Sequence, residues 1–266
     1  MPVNNNTILS SNYFEVSNEI GLKIGEADSN AKATYELVFK RKRNENYDIE
    51  LTRLKFLVNQ KEIVNKFSNI SNAYFECLFP MQFVIVNDTL DLSNYKEIKK
   101  RIEKTDEFLT NKYNGEGLNY IRKEFLDKVA TELEMKQFVN SLNILKIFNL
   151  TLNRFLENVV SEFSWTIPAT GKSLWNLKKI EDENEAVSFS SKQLNDKEFI
   201  SSLNNYFIKN NLTSLATDEE IIESDFSTNI IYESTNLNIK ELNNNCKIKV
   251  GKFFEYKENI TIKSLL

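Results

Sequence analysis

ATYELVFKRKRNENYDIELTRLKFLV, residues 33–58, is the stretch that decides the fold class. Tyr35, Leu37 and Phe39 alternate with Glu36, Val38 and Lys40, and Asn44-Glu45-Asn46 supplies a turn. Tyr47, Ile49 and Leu51 then alternate with Asp48 and Glu50. A period of two places each set on one side of a pleated strand, so the stretch predicts a long β-hairpin with one buried face. The phase slips between Leu51 and Leu54, which predicts a bulge near Thr52-Arg53. The basic run Lys40-Arg41-Lys42-Arg43 falls at the hairpin tip opposite the acidic residues of 44–50. Cross-strand ion pairing accounts for it without a nucleic-acid partner.

Outward from this hairpin, strand character extends both ways. Tyr13–Val16 and Leu22–Ile24 read as short strands before it. Tyr74–Phe79 and Met81–Val86, punctuated by Pro80, read as two strands after it. From Asn87 the period becomes helical: Tyr95, Ile98, Ile102, Phe108 and Leu109 mark one face, and Asn114-Gly115-Glu116-Gly117 ends the helix. A second helical region runs from Leu118 to about Val160, broken where Thr131-Glu132-Leu133-Glu134 forms a capping box. Its last part, Ser141–Val160, is apolar almost all round, as a helix buried on most of its circumference would be.

Strands return at Phe163–Pro168, Leu174–Ile180 and Val187–Ser190. A helix from Asn195-Asp196-Lys197-Glu198 carries Phe199, Ile200, Leu203 and Phe207 on one face, and Thr217-Asp218-Glu219-Glu220 opens a short helical turn. The tail reads as a β-meander of five short segments, NIIYES, LNIKEL, CKIKV, KFFEY and NITIKSL, with Asn or Gly at the joints. The expected fold is therefore α+β: antiparallel β-sheet(s) or a half-barrel from the N- and C-terminal strands, packed on a central helical segment. The two β regions are either halves of one sheet or separate sheets. A single domain over residues 1–266 is expected, β-rich at 10–87, helical at 92–160, and β-rich with one or two short helices at 161–266. At the level of layout alone, this arrangement resembles periplasmic lipoprotein carriers, whose curved sheet encloses helices and an apolar cavity. No residue motif supports a family.

Composition narrows the chemistry. The chain contains no histidine, which removes Ser-His-Asp and Cys-His nucleophiles, His-ligated zinc and two-His iron sites. A net charge of −4 argues against a general nucleic-acid binder. No apolar stretch approaches the ~18 residues of a membrane span, and the first residues lack the pattern of a signal peptide. Cys77 and Cys246 each fall in an alternating run, Cys77 beside Phe75 and Phe79, Cys246 beside Ile248 and Val250. Both read as small buried hydrophobes in a reducing, cytoplasmic setting. Abundant Asn and Lys suggest an AT-rich bacterial genome.

Few segments remain as candidates for function. Ala169-Thr170-Gly171-Lys172-Ser173 is the nearest approach to a phosphate loop, but Thr166 stands where the first glycine is needed and strand follows it. A hairpin turn with Gly171 at positive φ is the simpler reading. That hairpin carries both tryptophans, Trp165 and Trp175, equally spaced from its centre. They read first as cross-strand packing. Read as function, Trp165, Gly171, Lys172 and Trp175 would be a contact surface for a partner or a flat ligand. The acidic clusters Glu181-Asp182-Glu183 with Glu185, and Asp218-Glu219-Glu220 with Glu223 and Asp225, lack the glycine of a calcium loop. Asn140, Asn143, Asn149 and Asn153 recur along the apolar helix, where buried amides require partners such as strand edges or a ligand. No catalytic residue, cofactor or metal ligand is expected. The leading expectation is a non-enzymatic intracellular protein that binds another protein, as an adaptor, assembly component or toxin-neutralising partner. The second is a carrier or sensor of an apolar small molecule held between sheet and helix. The third is a histidine-independent enzyme.

Overall fold

The computed structural model describes residues 12–41, 48–87, 89–152, 159–168, 170–181, 186–191, 196–212, 222–233 and 238–265. Its strands are β1 (Asn12–Ile24), β2 (Ala27–Arg41), β3 (Ile49–Val58), β4 (Met81–Val86), β5 (Thr89–Leu92), β6 (Val159–Ile167), β7 (Gly171–Glu181), β8 (Ala186–Ser191), β9 (Ile222–Tyr232), β10 (Ile239–Val250) and β11 (Phe254–Ser264). The helices are α1 (Lys66–Glu76), α2 (Tyr95–Lys112), α3 (Glu116–Leu126), α4 (Glu132–Asn140), α5 (Asn143–Leu152) and α6 (Asp196–Lys209). The expected mixture of helix and antiparallel strand is present, with strand dominant. Both β regions belong to one sheet ordered β5-β4-β3-β2-β1-β11-β10-β9-β8-β7-β6. N- and C-terminal halves meet where β1 pairs with β11, Phe14 opposite Ser264 and Ile24 opposite Phe254.

One face of this sheet carries the core. Phe14 and Val16 of β1, Leu37 and Phe39 of β2, and Tyr256, Ile260 and Ile262 of β11 are all buried. Against them lies α5, whose Phe148 ring sits 5.8 Å from Phe14 and 4.6 Å from Phe39. The sheet is not a closed barrel, yet α5 touches both of its edge strands. The backbone N–H of Leu90 in β5 donates to Asn149 Oδ1 at 3.1 Å. At the other edge, Asn143 accepts from Thr166 N at 2.9 Å and donates to Thr166 O at 2.8 Å, acting as one residue of a neighbouring strand. Two asparagines thus occupy backbone groups that an edge strand would otherwise leave open.

The 33–58 hairpin forms with Phe39 opposite Leu51 and Lys40 opposite Glu50; its turn and Lys42-Arg43 lie outside the described residues. The extra residue falls beyond Leu54, where Lys55 has φ 51°, rather than at Thr52-Arg53. The two short N-terminal strands are one. Phe14, Val16, Asn18, Ile20, Leu22 and Ile24 keep a single phase, and the polar middle member points its amide into the core, where it donates to Glu258 Oε1 at 2.9 Å. The five tail segments are likewise three long strands. Asn243-Asn244-Asn245 is not a joint: Asn244 lies opposite Thr228 inside the sheet and accepts from its hydroxyl at 2.6 Å.

Other boundaries differ for helical reasons. Tyr74–Phe79 is not a strand but the end of α1 and the turn after it. Ile70, Tyr74 and Cys77 are buried at i, i+4 and i+7, a helical face whose first member lies outside the segment read as strand. Asn65 caps that helix by accepting from the N–H of Phe67 and of Ser68. Arg101 of α2 donates to the carbonyls of Cys77, Leu78 and Pro80 just beyond its end. In α2, Ile98, Ile102 and Leu109 are buried as expected, whereas Phe108, one residue off that stripe, is exposed. Thr131 and Glu134 form the expected capping box of α4. The apolar helix does not reach Val160 as expected: α5 is described over Asn143–Leu152, and Val159 and Val160 belong to β6. Asn153 and the capping box at 217–220 lie outside the described residues.

Candidate functional site

A cleft of about 600 Å³, open on one side to solvent, lies between the α4–α5 corner and the β6–β7 hairpin. Each wall follows from local sequence. The capping box starts α4 in register, so Glu134, Gln137 and Phe138 face the cleft. Ser141 ends that helix with its hydroxyl on Phe138 O at 2.6 Å, and the chain turns sharply into α5. On the facing wall, Thr166 fastens the hairpin to the corner. Its hydroxyl donates to Ser141 O at 2.7 Å, while its backbone is paired by Asn143.

Lys146 is the unusual member of this lining. It sits in the second turn of α5, is only 8% exposed, and donates from Nζ to the Thr166 hydroxyl at 2.8 Å. Among the described residues it forms no ion pair. Lys128 and Lys172 share the cleft with it, and Glu134 is the acidic member. Burial first, and then the charge of Lys172, push the Lys146 amine down to about 8; the charge of Glu258 opposes them. A buried ammonium without a counter-ion disfavours its own charge, and an incoming anion would remove that disadvantage.

Behind the cleft lies a second polar centre, closed to solvent. Glu258 of β11 is buried, and four neutral donors converge on it. Asn143 Nδ2 at 2.8 Å, Trp165 Nε1 at 2.9 Å and the Tyr256 hydroxyl at 2.6 Å reach Oε2, and Asn18 reaches Oε1. Desolvation and the neighbouring Glu258 hold the Tyr256 hydroxyl far above the usual phenol range. Glu258 so ties α5, the hairpin, β1 and β11 to one side chain. Among the described residues, no group of three or more Cys, Asp or Glu is placed to hold a metal ion.

The four hairpin residues singled out in the sequence separate here. Trp165 and Trp175 are buried, 0% and 1% exposed, and both rings pack on Phe226, at 5.1 and 5.4 Å. They do not face each other: Trp165 lies opposite Ser173 and Trp175 opposite Phe163. The Trp175 N–H donates to the Ser173 hydroxyl at 2.8 Å. Gly171 takes φ +87° at the start of β7, as a hairpin turn requires, and no atom crowds the place of its missing side chain. Lys172 alone of the four lines the cleft. Lys146 and Glu258 escaped the sequence reading, though each left a signal. Lys146 is the single charge within 141–153, and Glu258 occupies the apolar phase of Tyr256, Ile260 and Ile262.

The chain matches no protein-family model and no curated protein. A solved structure concerned with lipid–protein interactions in lipovitellin is similar over 97% of this chain and 25% of that one, at 9% identity and a TM-score of 0.44. This chain therefore spans about a quarter of the protein it matches, and a likeness of that size carries no functional argument. No helix among the described residues is long and apolar enough to cross a membrane.

Proposed function

We propose that this chain is a non-catalytic binding protein whose cleft receives an acidic segment of a protein partner. The observation that carries the reading is Lys146, buried without a carboxylate partner among the described residues and flanked in the same cleft by Lys172 and Lys128. A carboxylate entering there would gain a charge-assisted hydrogen bond and supply the missing counter-ion. The open side of the cleft suits an extended segment better than an enclosed cargo. The carrier reading finds less support. Phe148 packs against Phe14 and Phe39 between α5 and the sheet. Among the described residues, Phe138 is the one aromatic ring in an otherwise polar cleft lining that includes Ser141 and Ser164.

The test is calorimetric titration at low ionic strength with a hexaglutamate peptide and a hexaglutamine control. Binding of the acidic peptide alone is expected, weakened about tenfold or more in Lys146→Met and severalfold in Lys172→Gln, and falling as salt is raised. Equal affinity for both peptides, or no binding of hexaglutamate at millimolar concentration, would overturn the reading.

A further inference from the structure

The cleft has chemistry that capture of an acidic segment does not use. Among the described residues, Lys146 Nζ is held at the cleft wall by a single neutral acceptor, the Thr166 hydroxyl, whose own proton is committed to Ser141 O. No carboxylate pairs with the amine among the described residues, and a second cation, Lys172, lines the same space. An amine desolvated and set beside another cation is the arrangement that keeps a lysine neutral and nucleophilic. The two exposed lysines, Lys128 and Lys172, supply charge for one negative group on a small ligand. We propose that Lys146 reversibly captures a small 2-oxo acid, its Nζ condensing with the carbonyl while Lys128 and Lys172 hold the carboxylate.

The step balances without an outside oxidant or reductant. The nitrogen lone pair forms the C–N bond, the carbonyl π pair moves to oxygen, and a proton passes from nitrogen to that oxygen to give a carbinolamine. The hydroxyl then leaves as water with the second nitrogen proton, and an imine remains. One amine and one carbonyl become one imine and one water, and water reverses the capture. With its amine near 8, Lys146 is uncharged far more often at pH 7.5 than an ordinary lysine at about 10.4. The groups facing it are Lys172 from β7, Lys128 beyond α3, Glu134 of α4 and Glu258 of β11.

The proposal shares the cleft with the reading above but not its occupant, so either stands if the other fails. The intact chain would be incubated at pH 7.5 with limiting sodium cyanoborohydride and either glyoxylate or propionaldehyde, then digested and mapped by mass spectrometry. Lys146 is expected to be modified about tenfold faster than exposed lysines such as Lys99 and Lys104, and glyoxylate to be favoured over propionaldehyde. In Lys128→Gln/Lys172→Gln, Lys146 should still react with propionaldehyde while the preference for glyoxylate disappears. Modification spread evenly over exposed lysines, with Lys146 untouched in a chain of native circular dichroism, would overturn the nucleophile. Equal rates for the two reagents in the unsubstituted chain would overturn the 2-oxo acid.

Discussion

A lysine and a glutamate, each on an apolar phase, set the polar chemistry of this protein. Glu258 is satisfied by neutral donors on every side, so its burial is supported by hydrogen bonds rather than by a counter-ion. Lys146 has one acceptor among the described residues, and its burial works against its charge. The sign of its effect on stability follows from linkage. Its folded value, about 8, lies below the unfolded value of about 10.4. Between those values the unfolded chain keeps a proton that the folded chain has released, so this site's contribution rises with pH over that window. Below it both states are protonated and the buried charge is fully destabilising. Lys146→Met removes that charge and should stabilise the chain by about 1–3 kcal/mol at pH 7, an advantage that shrinks towards pH 10. Urea unfolding of both proteins across pH 7–10 checks this. Comparing the two cancels the buried Cys77 and Cys246 thiols, whose pKa values are raised. A difference that does not change with pH would refute it. Both residues were visible in the sequence as interruptions of an apolar phase, but what they touch comes from β1, α5, β6 and β11, which no local pattern brings together.

Among the elements, the hairpins were the most legible. Alternation is a nearest-neighbour property, and the β2–β3 and β6–β7 hairpins form close to where it predicts them, whereas β9–β11 run through joints that it placed at asparagines. Alternation failed where a short apolar run satisfied two periods. Tyr74–Phe79 has strand spacing, but Ile70 four residues before Tyr74 gives it a helical face, and packing chose that face. Polar residues inside strands misled in the other direction. Asn18 and Asn244 look like joints, yet each bonds within the core-facing side of its strand. The asparagines of α5 do at element scale what loops usually do, covering sheet edges. Asn149→Ala should leave the Leu90 amide without its acceptor, at a cost of about 1 kcal/mol. Hydrogen exchange is the direct readout: the Leu90 amide should exchange faster, and the Thr166 amide, held by Asn143, should not. Equal acceleration of both would mean that α5 detaches as a unit and does not cap each edge separately.

For the whole molecule, the decisive relation is between a sheet of eleven strands and a helix of ten residues that reaches both of its edges. A helix that length spans about 15 Å, so the sheet must curl until β5 and β6 approach each other. No stretch of sequence announces that curl, because it arises from twist accumulated over many strand pairs. Its consequence is cooperativity. Phe148 packs on β1 and β2, while Asn143, on the same helix, holds β6 and Glu258 of β11. Loosening one end of α5 therefore releases strands on both sides of the sheet, and the chain should unfold as one unit. The two tryptophans report from β6 and β7 at one edge, whereas far-ultraviolet circular dichroism reports from the whole. Urea transitions followed by the two signals should coincide in the unsubstituted protein. They should coincide again in Phe148→Ala, at lower urea and with a loss of about 3–5 kcal/mol. A fluorescence transition that precedes the loss of secondary structure would show that the β6–β7 hairpin melts on its own, and α5 would then be a plug in one half of the sheet, not the brace between its two edges.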